Sequence, residues 1–242
     1  MNDSNFSTLK PKIVLGVAAH PDDLDFGAAG TMAAFAEAGA AVHYLILTDG
    51  SKGTDDSSLS SANLIKIREK EQRAAVKAVG GQGVQFLGYP DSELEITMQL
   101  KKEIVKVIRT IKPDVVVTMD PSMIYSATRG FINHPDHRAA GQATLDAVFP
   151  LARDHLAFPE LHANGYMPHK TKTVLLVNFD NSNFTVDITK TFDKKIAALK
   201  AHASQVKDIK RVRGWLEEMA GRVGKQAGYN LGESFVRIDL TL

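Results

Sequence analysis

The stretch KIVLGVAAHPDDLDFGAAGT, residues 12–31, joins an apolar run to a histidine, a proline and two adjacent acids. Ile13 to Val17 reads as a buried strand, and Gly27 to Ala38 as an alanine-rich helix closed by Gly39. The polar turn therefore sits where a strand hands over to a helix. Packing does not ask for such a turn. Asp22 and Asp23 repel one another, and each loses hydration if buried without a partner. A cation beside them would remove the difficulty.

Outward from this turn, strand and helix patterns alternate. Val42 to Leu47 reads as the next strand, and TDGSKGTDDSSLSS, residues 48–61, as an exposed loop. Leu64 to Val79 is a helix ending at Gly80-Gly81, and Val84 to Leu87 a short strand. Ile104, Val107, Ile108 and Ile111 line one face of a helix that Pro113 stops. Val115-Val-Val117, next, is a β-branched run suited to a strand covered on both sides. This order predicts an α/β fold, Rossmann-like, with a mostly parallel sheet flanked by helices on both faces. Such sheets place ligands at the carboxyl ends of their strands. His20–Asp23, Thr48-Asp49-Gly50 and Asp120-Pro121 all fall there, so three acidic turns converge.

Residues 151–170 are interrupted by prolines and read as an irregular covering segment. Val174 to Val177 and Phe184 to Ile188 resume strand patterns. Phe192 to Lys207 and Val212 to Val223 read as helices, and Ser234 to Leu242 as a terminal strand. A single domain over residues 1–242 is expected.

Composition narrows the function. Lys and Arg number 29 against 28 Asp and Glu, a net charge of +1, so neither nucleic acid nor an anionic membrane is expected as a partner. There is no cysteine, so a metal must be held by His, Asp or Glu. The start, MNDSNFSTLKPK, shows no apolar signal segment, and no apolar run approaches the roughly 18 residues of a membrane span. The expected location is the cytoplasm.

A second motif, His134-Pro-Asp-His137, echoes His20-Pro-Asp-Asp23 more than a hundred residues away. A catalytic zinc site takes three protein ligands and leaves a position for water. His20, Asp23 and His137 would supply two imidazoles and a carboxylate. Asp22 would then take a proton from the metal-bound water, whose pKa a zinc ion lowers to about 7. A protonated His134 would stabilise an oxyanion and donate to a leaving amine, with Asp136 bonding its imidazole and raising its pKa. Taken singly, each motif is an ordinary turn. As a pair on one sheet edge they point to a metal centre.

Further blocks accompany the pair: Gly27 and Gly30-Thr31; Thr48-Asp-Gly-Ser-Lys-Gly53 with Arg68 and Glu71; Leu87-Gly-Tyr-Pro-Asp91; Pro168-His-Lys170; Asp187-Ile-Thr189; Lys195 through Gln205; and Glu233-Ser-Phe235. Over nearly its whole length the chain resembles the LmbE-like, or PIG-L, family of metal-dependent N-deacetylases, which act on N-acetylglucosamine-containing substrates. The resemblance implies a hydrolase with one Zn2+ per chain on His20, Asp23 and His137, although iron or cobalt suits the same donors. It implies Asp22 as general base, His134 as acid or oxyanion stabiliser, Asp136 as the acid paired with it, and Arg68 at the substrate. A homo-oligomer, trimer or hexamer, is implied as well. Some relatives carry a tyrosine where this chain has Ile132, and Tyr125 is a candidate substitute.

Two other functions compete with this reading. One is an amidase acting on a larger conjugate or a non-sugar amide with the same metal centre. The other is a sugar- or nucleotide-binding module without chemistry. Against the module, the first turn lacks a G-x-G-x-x-G fingerprint, and Asp22-Asp23 would repel a pyrophosphate.

Overall fold

The computed structural model describes residues 9–127 and 130–241. The polar start up to residue 8 and the last residue of the expected terminal strand, Leu242, lie outside them. The chain runs β1 (Ile13–Ala18), α1 (Asp23–Gly27), α2 (Ala29–Glu37), β2 (Ala41–Thr48), α3 (Ser61–Ala78), β3 (Gly83–Tyr89), α4 (Met98–Ile111) and β4 (Val115–Met119). A small hairpin, β5 (Tyr125–Ser126) and β6 (Phe131–Ile132), precedes α5 (Pro135–Asp146) and α6 (Pro159–Ala163). The chain closes with β7 (Thr173–Val177), β8 (Phe184–Asp187), α7 (Phe192–Ala201), α8 (Ile209–Gln226) and β9 (Gly232–Asp239).

Seven strands form one sheet in the order β3-β2-β1-β4-β7-β9-β8. The first five are parallel, and β9 runs antiparallel to both β7 and β8. Side chains alternate between two buried layers, as the period of a strand requires. Val14, Val42, Tyr44, Val117 and Val177 face α2, α7 and α8. Leu15, Val17, Leu45, Val116 and Leu176 face α4 and α5. The mostly parallel sheet with helices on both faces is therefore observed. No helix of the described residues is long and apolar enough to cross a membrane.

Element edges differ from expectation where distant residues set them. The first helix begins at Asp23 and is interrupted at Ala28, so α2 has its own start. That start is capped from the other end of the chain: Glu233 accepts from Gly30 N, Thr31 N and Thr31 Oγ1 at 3.1, 2.7 and 2.6 Å, and the buried Lys195 Nζ neutralises it. The helix expected to reach Lys207 stops at Ala201, because His202 leaves helical geometry and turns into the core. The irregular segment after α5 is anchored by Arg109 of α4. Its guanidinium donates to the carbonyls of Leu151, Ala152, Asp154 and Ala157.

Candidate metal centre

The turn after β1 carries His20, Asp22 and Asp23, and the turn after β3 carries Asp91. The start of α5 carries His134, Asp136 and His137. Gly141 lets α5 lie close enough to β4 to bring these groups together, since a Cβ there would run into the Met119 carbonyl oxygen. Pro135 suits the first helical position, and His134 caps the helix by accepting the Asp136 amide N–H on Nδ1 at 3.2 Å.

Three donor groups meet at one point. His20 Nδ1 lies 3.3 Å from His137 Nε2. Asp23 places Oδ2 3.5 Å from His20 Nδ1 and Oδ1 3.0 Å from His137 Nε2. Ligands around a tetrahedral zinc, each at about 2.0–2.2 Å, stand roughly 3.3 Å apart. The donor set therefore fits a small divalent cation. His20 is further prepared on its opposite nitrogen, where Nε2 faces Asp91 Oδ1 and Asp136 Oδ2, each at 3.2 Å. That pairing assigns the proton to Nε2 and leaves the Nδ1 lone pair for a metal.

The metal-free electrostatics show the same demand for positive charge. Burial opposes charging of His20, but Asp136, Asp23 and Asp91 overcome it and push the imidazole up to about 12. His137 is also raised, against burial, by Asp23. Burial pushes up the Asp23 carboxyl, yet its two histidine partners hold it well below the usual carboxylate range. Asp91 and Asp136 are likewise held low by His20 despite their burial. Asp22 behaves differently: burial, opposed by Arg68 and aided by Asp23, lifts it to about 7.

One expectation needs correcting. The Asp136 carboxylate does not serve His134; it accepts from the amides of Ser92 and Leu94 and pairs with His20. His134 is lowered, not raised, by burial and by the neighbouring His20 and His137. With Nδ1 occupied by the Asp136 amide, His134 is a neutral imidazole whose Nε2–H is its donor.

Arg68 lies beneath the site, 4% exposed, donating to Pro21 O at 2.7 Å and Gly50 O at 3.0 Å, with Asp22 Oδ1 3.5 Å away. Gly50 and Gly53 leave the room its guanidinium fills. Asp49 shapes its own turn by accepting from Ser51 N and Asp91 N. Tyr125 pairs across the hairpin with Ile132, and both are exposed. His155 and His162 make a ring contact with each other away from the centre, and His169 bonds the Pro113 carbonyl.

Asp91 is the site residue that sequence reasoning did not assign; its signal was a Pro-Asp turn on the same sheet edge. Beside the centre opens a cavity of about 750 Å³ that reaches Asp23 and His137.

A family model described as PIG-L, GlcNAc-PI de-N-acetylase, matches residues 15–148, a span that holds both His-Pro-Asp motifs. Diacetylchitobiose deacetylase of Thermococcus kodakarensis is 34% identical over 92% of this chain and 81% of its own. A probable N-acetyl-alpha-D-glucosaminyl L-malate deacetylase 2 of Bacillus anthracis is 28% identical over 82% of this chain and 85% of its own. Among solved structures, N,N'-diacetylchitobiose deacetylase from Pyrococcus horikoshii superposes with a TM-score of 0.89 at 29% identity, covering 98% of this chain and 88% of that one. With the paired motifs closing on one point that could hold a cation, these likenesses place the chain in the PIG-L family of deacetylases, which are hydrolases.

Proposed function

We propose that this protein is a zinc-dependent hydrolase that removes the acetyl group from an N-acetylglucosamine-type sugar or sugar conjugate. The observation that carries the proposal is the convergence of His20 Nδ1, His137 Nε2 and the Asp23 carboxylate within 3.5 Å of one another. A divalent ion held there supplies a Lewis acid for the amide carbonyl and makes water more acidic. Asp22 takes the proton of the attacking water and returns it to the departing amine. His134 donates its Nε2–H to the carbonyl oxygen as negative charge develops there. Asp136 and Asp91 orient His20 through Nε2. Arg68, buried beside Asp22, serves the substrate site from beneath, through the positive charge it holds next to the reacting groups.

The cavity supports a sugar. Phe26, Phe131, Phe179 and Trp215 offer ring faces, while Asp120 and Asn133 offer polar edges, the mixture that a pyranose presents in return. The exposed Ile124, Tyr125, Phe131 and Ile132 support a homo-oligomer, a trimer or hexamer formed through the hairpin. One domain over residues 1–242 and a cytoplasmic location complete the reading.

Acetate release tests it. Zinc-loaded protein should liberate acetate from N-acetylglucosamine, its disaccharide or a glycoside of it. Asp22→Asn should lower that rate by at least about 100-fold with the metal retained. Acetate only from non-sugar acetamides would transfer the assignment to an amidase, and no acetate from any N-acetylated compound would refute it.

A further inference from the structure

Asp22 has φ +86° and ψ −25°, a left-handed backbone that a side chain with a Cβ disfavours. Something must hold it there, and α3 supplies the means. Arg68 and Gln72 lie one turn apart on the same helix face. Arg68 Nη2 donates to Pro21 O at 2.7 Å, and Gln72 Oε1 accepts the Asp22 N–H at 2.9 Å. The two side chains thus grip the two polar ends of one peptide unit, the one that sets φ of Asp22.

Gln72 is itself fixed from behind. Its Nε2 donates to Asp25 Oδ2 at 2.9 Å, and the same oxygen lies 2.8 Å from His202 Nε2. Asp25 and His202 are fully buried and Gln72 is 1% exposed, so the arrangement has no water to substitute for a missing partner. Facing an amide N–H at one end and a carboxylate at the other, residue 72 must present an acceptor and a donor at once, which a side-chain amide does. The inward turn of His202 that ends α7 early belongs to this chain of contacts.

We propose that Gln72 is a positioning residue: braced by the buried Asp25–His202 pair, it works with Arg68 as a clamp on the Pro21–Asp22 peptide that aims the Asp22 carboxylate. The inference rests on the reading of Asp22 as general base.

Gln72→Met keeps the volume and removes both hydrogen bonds. It should lower kcat 10- to 100-fold, the range for lost orienting partners of a metal site, with KM within about twofold and one equivalent of zinc retained. In an Asp22→Asn background the same change should cost nothing further, because the residue being aimed is gone. Wild-type kcat in folded Q72M, a loss that excess zinc restores, or an additional loss in the double variant would each overturn the clamp. Asp22→Asn with wild-type kcat would instead remove the base assignment, whatever Q72M does. Should Q72M fail to fold, amide hydrogen exchange on the unmodified protein decides. The Asp22 amide should exchange slowly, and rapid exchange would overturn the proposal.

Discussion

At Asp91 and Asp136 a single imidazole edge is shared: both carboxylates face His20 Nε2 at 3.2 Å, and both are themselves tied down by backbone amides. In the proposed centre they would orient a ligand that they do not replace. Asp91→Asn or Asp136→Asn should weaken zinc binding about 10- to 100-fold, read by competition with a chelator; unchanged affinity would contradict the assigned His20 tautomer. Which residues cluster was legible in the sequence where chemistry is concentrated in a motif. His20, Asp22, Asp23, His134 and His137 announce themselves because paired histidines and acids have no other reason to recur on one sheet edge. The partner of Asp136 was not legible. Lying two residues from His134, it looks like that ring's neighbour, yet the helix N-terminus aims its carboxylate at the turn after β3. Gln72 and His202 were less legible still, since a glutamine in a helix acquires its role only from what tertiary packing sets against it.

Among the elements, α4 anchors the irregular segment and α5 carries one side of the site. Arg109 on α4 spends its guanidinium on main-chain carbonyls of the irregular segment. Arg109→Met should destabilise the fold by about 3 kcal/mol in urea unfolding, because four main-chain carbonyls, one of them buried, lose a charged donor. A cost under about 1 kcal/mol would mean the segment holds itself. On α5, Gly141→Ala sets two effects against each other. Alanine is favoured in a helix interior by about 1 kcal/mol, but its Cβ would meet the Met119 carbonyl, a backbone atom that cannot swing aside. The clash should win, lowering Tm and pulling His134 and His137 from β1; a raised Tm would refute this packing. The strands were legible from β-branched runs such as Val115–Val117, since a fully covered strand tolerates little else. Helix ends were not, wherever the cap comes from afar. Glu233 starts α2 from about two hundred residues away, and no local pattern encodes that contact.

For the whole molecule, a bound metal would compete with protons for the same cluster. Without metal, His20 holds its proton up to about 12 against an ordinary 6.5, so that stabilisation is complete below 6.5 and lost as pH rises toward 12. Asp22, lifted from 3.8 to about 7, acts in the same direction: its contribution is full below 3.8 and lost as pH climbs through 7. A divalent ion must displace protons to bind, so its own stabilisation grows with pH. The difference in Tm between zinc-loaded and metal-free protein should therefore be larger at pH 8 than at pH 6, and a difference that shrinks would contradict the ligand set. The most direct test of the central claim is a zinc titration of chelator-stripped protein, following acetate released from an N-acetylglucosamine disaccharide. The rate should rise from near zero in proportion to zinc and level off at one equivalent per chain. A full rate in the stripped protein, or none at any zinc loading, would show that His20, Asp23 and His137 do not close on a catalytic ion.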